Sequence, residues 1–258
     1  MIPPFEEHGT GRPIVLIHAF PLSRSMWAGN INTVTSAGFR MILPDLRGFG
    51  ENESFADINT MEDMAKDIGE LLDKLKIEHA IIGGLSMGGY VTFALYRLFP
   101  EKFAAIMLFD TTSAADTEEK RQNRFDIIEK IESDGPQALA DSFLPNLTGD
   151  LTKADNPELV RDLKQRINAA NPKAAVAALR GMAERPDSTS LLAEIDIPAC
   201  LIFGEDDKIT SIEGAAKMKE AIRGSELTVI KNSGHLSNME QPDQFNSVLV
   251  DFIKRVQY

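Results

Sequence analysis

The 258-residue sequence predicts an α/β protein: a mostly parallel sheet with helices on both faces, interrupted once by a helical insertion. Three observations carry that prediction. Six short runs are largely apolar on successive residues, as parallel strands buried on both faces require. Amphipathic stretches at helical spacing lie between them, and strand–helix–strand alternation implies a parallel sheet covered by helices. From about Thr112 to Leu192 the strand pattern lapses and only helical segments remain.

Taken in order, the strands are Pro13–Ala19, Arg40–Pro44, His79–Gly84, Phe103–Phe109, Pro198–Gly204 and Glu226–Lys231. Between the second and third, Thr60–Leu75 sets Met61, Met64, Ala65, Ile68, Leu71, Leu72 and Leu75 along one stripe, with Thr60 and Asp63 placed to cap the helix. The insertion carries helical segments near Glu118–Ile131, Pro136–Leu144, Pro157–Ala170 and Pro172–Ala183, punctuated by Pro and Gly. The strand pattern resumes at Ile197, and a final helix is expected over Gln241–Val256. The expected division is a core of residues 1–111 and 193–258 and a helical cap insertion of residues 112–192.

Composition narrows the function classes. With 27 Lys+Arg against 39 Asp+Glu the net charge is −12, which argues against nucleic acid, because binding phosphates needs a basic face. The longest apolar runs, such as Pro13–Ile17 and Ala104–Phe109, fall far short of the roughly 18 residues of a membrane span, so no membrane partner is expected. The first residues lack a basic region followed by an apolar stretch, so no signal peptide is expected. A single cysteine, Cys200, forbids an internal disulfide and fits a reducing cytoplasm. It sits inside an apolar strand and reads as core.

The chemistry centres on Gly84-Leu85-Ser86-Met87-Gly88-Gly89. G-x-S-x-G by itself arises by chance about 0.1 times in a chain this long. Here it follows an apolar strand and opens a helical run, Tyr90–Leu98. A strand turning sharply into a helix holds its middle residue under strain, and small neighbours such as Gly84 and Gly88 let the backbones approach. Ser86 Oγ would then project above the C-terminal edge of the sheet, where open α/β sheets place ligands. The plainer alternative is a glycine-rich turn with an incidental serine.

A serine hydroxyl becomes a nucleophile only when a base takes its proton, and the base is a histidine held by a carboxylate. There are four histidines. His8 reads as part of a solvated loop, His79 as a surface or strand-edge residue, and His18 as a residue shaping the loop after the first strong strand. His235 follows the last strand in Asn232-Ser233-Gly234-His235 and opens at the sheet edge of Ser86, so it is the expected base. For the acid, Glu205-Asp206-Asp207 follows the Pro198–Gly204 strand and lies between Ser86 and His235 in chain order. Asp207 is preferred, Asp206 and Glu205 come next, and Asp110 at the end of another strand is a fallback or a turn cap. Oxyanion donors are expected from the amides of Met87 and Phe20, each typically worth roughly 10²–10³ in rate. No metal or other cofactor is needed for this chemistry, and no H-E-x-x-H or clustered Cys/His set exists.

At this point the sequence resembles the α/β-hydrolase superfamily. The matching pieces are His18-Ala19-Phe20-Pro21-Leu22-Ser23, Asp45-Leu46-Arg47-Gly48-Phe49-Gly50, the Ser86 elbow, Gly204-Glu205-Asp206-Asp207 and Gly234-His235-Leu236-Ser237-Asn238-Met239-Glu240-Gln241-Pro242. The last piece and the elbow are similar to bacterial 3-oxoadipate enol-lactonases and small carboxylesterases, and His18–Ser23 to cofactor-free haloperoxidases with perhydrolase activity. The resemblance implies Ser86 as nucleophile, His235 as base and acid, Asp207 as orienting carboxylate, and Phe20 and Met87 as oxyanion donors. Two departures stand out: Ala19 occupies a position that is usually glycine, and the short N-terminus leaves room for at most one leading strand. A sheet of six or seven strands is therefore expected.

The expected reaction is hydrolysis of a small carboxylic ester through an acyl-enzyme, with Phe143, Leu144, Leu147 and Met182 as candidate walls of the substrate pocket. Alternatives are an enol-lactonase or other lactonase, a carbon–carbon bond hydrolase, a perhydrolase, and a non-catalytic small-molecule binding protein on the same fold. A charged substrate such as an oxo-diacid lactone would need a pocket cation, for which Arg121, Arg124, Arg161, Arg166 and Arg180 are candidates.

Overall fold

The computed structural model describes residues 1–257. Seven strands form one sheet: β1 (Phe5–His8), β2 (Arg12–Ile17), β3 (Phe39–Pro44), β4 (Ala80–Leu85), β5 (Phe103–Phe109), β6 (Ala199–Gly204) and β7 (Glu226–Ile230). Their spatial order is β1-β3-β2-β4-β5-β6-β7. Only β1 is antiparallel, pairing with β3 at the edge. All six expected strands are present within two residues at each end, and β1 brings the count to seven. His8, expected in a loop, is half-buried in β1, where its Nε2 lies 3.0 Å from Glu6 Oε2. The polar run Phe-Glu-Glu-His pairs through its backbone with the apolar β3, which is why side-chain pattern alone does not announce it.

The connections follow from handedness. Parallel crossovers are right-handed, so reversing direction along the sheet puts successive helices on opposite faces. The chain passes from β2 through α1 (Ala28–Ser36) to β3, then turns back through α2 (Met61–Lys74) to β4. α3 (Met87–Leu98) continues in the direction of α2 and packs against it. Thr60 caps α2 as its sequence suggests, Oγ1 accepting the Asp63 amide at 3.0 Å. On the α1 face, Trp27, Phe109 and Phe245 stack with ring centroids 5.0–6.2 Å apart, all three buried.

Between β5 and β6 lie α4 (Glu118–Asp134), α5 (Gln137–Leu147), α6 (Asp150–Asp155), α7 (Pro157–Ala169) and α8 (Pro172–Ala183), with no strand among them. α6 was not expected: its six residues are too few to display a helical period. The chain then returns through β6, α9 (Ile212–Ala221), β7, α10 (Ser237–Glu240) and α11 (Pro242–Arg255). No helix among the described residues is long and apolar enough to cross a membrane.

Candidate active site

The C-terminal ends of β4, β5, β6 and β7 open on one edge of the sheet, because these strands are parallel and in register. Ser86 follows β4 with φ +55° and ψ −113°. Such a backbone costs a non-glycine residue on the order of 1–3 kcal/mol and survives only where its surroundings over-determine it. They do so here. The Ser86 amide donates to Phe109 O at 3.0 Å, and its carbonyl accepts from Gly89 N at 2.9 Å and from Thr111 Oγ1 at 2.8 Å. The turn closes only because Gly84 and Gly88 lack side chains: a Cβ on Gly84 would lie 2.8 Å from Gly88 Cα, and one on Gly88 would lie 2.8 Å from the Ile17 carbonyl carbon.

Asp207 and His235 meet in the loops after β6 and β7. Asp207 Oδ2 lies 2.9 Å from His235 Nδ1, with both side chains almost wholly buried. An ionised carboxylate only accepts, so Nδ1 carries the proton and the neutral ring keeps its lone pair on Nε2. Asp207 is itself fixed: Oδ1 accepts the amides of Ile209 (2.8 Å) and Thr210 (3.1 Å), and the Thr210 hydroxyl donates to Oδ2. Asp206 N donates to Ser233 O at 2.8 Å, tying the two loops together. Of the three consecutive acids only Asp207 reaches the imidazole. Asp206 and Glu205 are exposed, and Glu205 accepts the Asn232 amide instead.

Charge distribution follows the geometry. Burial alone would depress the His235 pKa, but the neighbouring Asp207, with Asp110 and Glu240 beyond, holds it above the ordinary imidazole value. For Asp207, burial pushes up, and His235 with the donors from Thr210 and Ile209 outweighs it, leaving the carboxyl below its usual range. Asp110 behaves in the opposite way. Burial and the Asp207 charge push it well up, against the Ser237 hydroxyl (2.5 Å) and the Gly204 amide (2.7 Å) that donate to it. Its place is to tie β5 to the ends of β6 and of the His235 loop.

The Ser86 hydroxyl and His235 Nε2 make no hydrogen bond to each other or to any other group among the described residues. In unliganded enzymes such a bond is often long and tightens when substrate binds. Met87 is the first residue of α3, so its amide has no intrahelical acceptor. The Phe20 amide, beside the cis Phe20–Pro21 bond, also donates to no protein group. His18 shapes this loop as expected: buried, it donates from Nδ1 to Ala19 O at 3.0 Å and accepts the Leu46 amide at Nε2 at 2.9 Å. His79 is exposed.

A cavity of about 230 Å³ lies between α4, α5 and the sheet edge. Phe143 lines it and stacks edge-on against Phe20, centroids 4.9 Å apart. The other three expected wall residues are not on its surface: Leu147 and Met182 are buried in the core, and Leu144 packs against it. Helical spacing marks an apolar face without saying whether that face meets a void or another helix. Residues not foreseen line the same cavity, among them Tyr90, Thr112, Arg185 and Ile209. One signal was available: Asp207-Lys208-Ile209-Thr210 is an Asx-turn pattern, in which the aspartate side chain bonds amides two and three residues on.

Fold and site together define a hydrolase built on a strand–serine–helix elbow. The family model of the alpha/beta hydrolase fold matches residues 12–242, and the chain belongs to that family. Among solved structures it is similar to a thermophilic esterase from Thermogutta terrifontis in malate-bound form, at 38% identity and TM-score 0.95 over 99% of this chain and 94% of that one. It is also similar to the enol-lactonase of Burkholderia xenovorans, at 25% identity and TM-score 0.90 over 98% and 96% of the two chains. A curated relative, 3-oxoadipate enol-lactonase 1 of Acinetobacter baylyi, is 28% identical over 244 residues, covering 95% of this chain and 89% of its own.

Proposed function

We propose that the protein hydrolyses small carboxylic esters through Ser86, His235 and Asp207. The observation that carries this reading is the strained Ser86 elbow at the same sheet edge as the buried His235–Asp207 pair. Ser86 Oγ attacks the ester carbonyl while His235 Nε2 takes its proton, and Asp207 stabilises the imidazolium. The Phe20 and Met87 amides, free of protein acceptors, receive the oxyanion. His235 returns the proton to the leaving alcohol, and a serine-bound acyl group remains. Water, deprotonated by the same imidazole, then releases the acid. Residues 112–192 serve as the cap, with Phe143 covering the oxyanion loop through its contact with Phe20.

Lactone opening uses the same steps with the leaving alcohol still tethered. The full-length similarity to two enol-lactonases supports it as a second reading. A series of p-nitrophenyl esters of increasing acyl length, run beside an enol-lactone, separates the two. The test of the common mechanism is Ser86→Ala together with fluorophosphonate labelling. Turnover is expected to fall by up to roughly 10⁶, with labelling of Ser86 in the parent and none in the variant. Substantial residual turnover in a folded variant refutes the mechanism.

A further inference from the structure

The cavity between α4, α5 and the sheet edge is rich in cations although the chain as a whole is acidic. The chain as a whole carries −12, yet Lys120, Arg124, Arg185 and Lys208 line this one space against a single carboxylate, Asp116. Arg124 Nε donates to Asp116 Oδ2 at 2.5 Å and Arg185 Nη1 to Asp116 Oδ1 at 2.7 Å, so one buried acid is shared by two guanidinium groups. Arg124 and Arg185 hold Asp116 below the usual carboxylate range despite its burial, so the triad carries a net positive charge.

The two arginines are not equivalent. Arg185 is saturated: it also donates to Met182 O and Ala114 O, both at 2.9 Å, and its guanidinium lies 4.0 Å over the Tyr90 ring. Arg124 is not. Its Nη2 reaches Asp116 Oδ1 at a long 3.3 Å, Nη1 faces the Met182 sulfur at 3.5 Å, a poor partner for a charged donor, and the Tyr90 side chain is its remaining hydrogen-bond partner. Lys120, at the cavity rim, has no ion-pair partner among the described residues, whereas Lys208 leans on Asp150 at 2.8 Å.

Several residues that line this space are close neighbours of the proposed catalytic residues. Tyr90 is one helical turn from Ser86, its amide donating to Ser86 O at 3.2 Å. Lys208 and Ile209 follow Asp207 directly, and Phe143 touches Phe20. These neighbours place the cavity on the Ser86 side of the cap, and its volume, below the roughly 300–1,000 Å³ of ordinary ligand pockets, suits a short group.

We propose that this cavity is an anion subsite, with Arg124 as its anchor and Lys120 at its rim, and that the preferred substrate is an ester carrying a carboxylate a few carbons from the scissile carbonyl. This rests on the Ser86 mechanism proposed above and replaces a neutral short-acyl ester by a half-ester of a dicarboxylic acid or its alcohol-side counterpart. A carboxylate entering the cavity replaces the weak Met182 sulfur contact at the Nη groups of Arg124 with charge-assisted hydrogen bonds.

The test compares matched pairs by acid release: ethyl hydrogen glutarate against ethyl valerate for the acyl arm, and 4-acetoxybutyrate against butyl acetate for the alcohol arm. A kcat/KM at least about ten-fold higher for the anionic member of either pair is expected, eroded by added salt. Arg124→Gln is expected to lower that anionic-to-neutral ratio about ten-fold. Lys120→Gln, an exposed change that leaves the buried triad intact, is expected to lower it about two- to three-fold. Preference for the neutral member of both pairs, or a ratio unmoved by both substitutions, overturns the subsite. Failure of the underlying mechanism looks different: Ser86 is not labelled by fluorophosphonate and neither member of either pair is cleaved.

Discussion

Replacing Asp207 with Asn tests the proposed relay at one atom. In the native site Oδ1 accepts two backbone amides, from Ile209 and Thr210, and Oδ2 accepts His235 Nδ1–H and the Thr210 hydroxyl. An asparagine must keep its oxygen on the two amides, because an NH₂ group there would face two donors. Its NH₂ then occupies the Oδ2 position and points hydrogens at His235 Nδ1. The imidazole can satisfy that contact only by moving its proton to Nε2, which leaves no lone pair for the Ser86 proton. The imidazolium formed during attack also loses its buried counter-charge. A wrong tautomer of this kind costs about 10⁴ in kcat, or about 5.4 kcal/mol at 1.36 kcal/mol per factor of ten. The fold is expected to survive, because every backbone donor keeps its acceptor and the Thr210 hydroxyl can rotate to accept. The assay is kcat for p-nitrophenyl butyrate, with the rate of fluorophosphonate labelling and the melting temperature measured on the same variant. A variant that stays folded and keeps kcat within ten-fold of the parent refutes the proposed tautomer control.

Asp110→Asn, by contrast, is expected to cost less than ten-fold: burial and Asp207 already favour the neutral acid there, and asparagine can still accept the Gly204 amide. A loss exceeding that of Asp207→Asn reassigns the orienting acid. The pH profile of kcat/KM is expected to fall on the acid side, since protonated His235 cannot accept a proton. Because the neighbouring Asp207 outweighs burial and raises that pKa, the midpoint lies above the ordinary value of about 6.5. A midpoint at or below 6.5 counts against the paired geometry. Gly88→Ala places a methyl group 2.8 Å from the Ile17 carbonyl carbon and 2.9 Å from His18 O. A loss of about 1–3 kcal/mol from overpacking is expected in urea titration, with ester turnover reduced as the elbow shifts. Unchanged stability and rate show that the turn does not depend on that close approach.

How much was legible follows from where each signal resides. Parallel strands buried on both faces are continuous apolar runs, so Phe103–Phe109 could be read to the residue. The same holds for Pro172–Ala183, bracketed by a proline at its start and dense in alanine. The Ser86 elbow and the meeting of Asp207 with His235 were also legible, because an elbow motif and the ends of later strands constrain these residues in order along the chain. The edge strand β1, the short α6 and the walls of the cavity were not. β1 is held by backbone bonds that leave no pattern, and Leu147 and Phe143 share an apolar face although only Phe143 meets the void.

The linear sequence by itself determined the class of fold, the strained serine and the histidine at its sheet edge, since each is written in local periodicity, small residues or a punctuated turn. Only the tertiary structure decided that Asp207, preferred among three adjacent acids, alone of them reaches the imidazole, and which of the arginines gather around Asp116. Arg185 lies 69 positions from its carboxylate partner and looks like a loop residue until the chain folds. The physical reason is range: backbone strain and helical period act within a few residues, whereas charge pairing and cavities depend on what folding brings together.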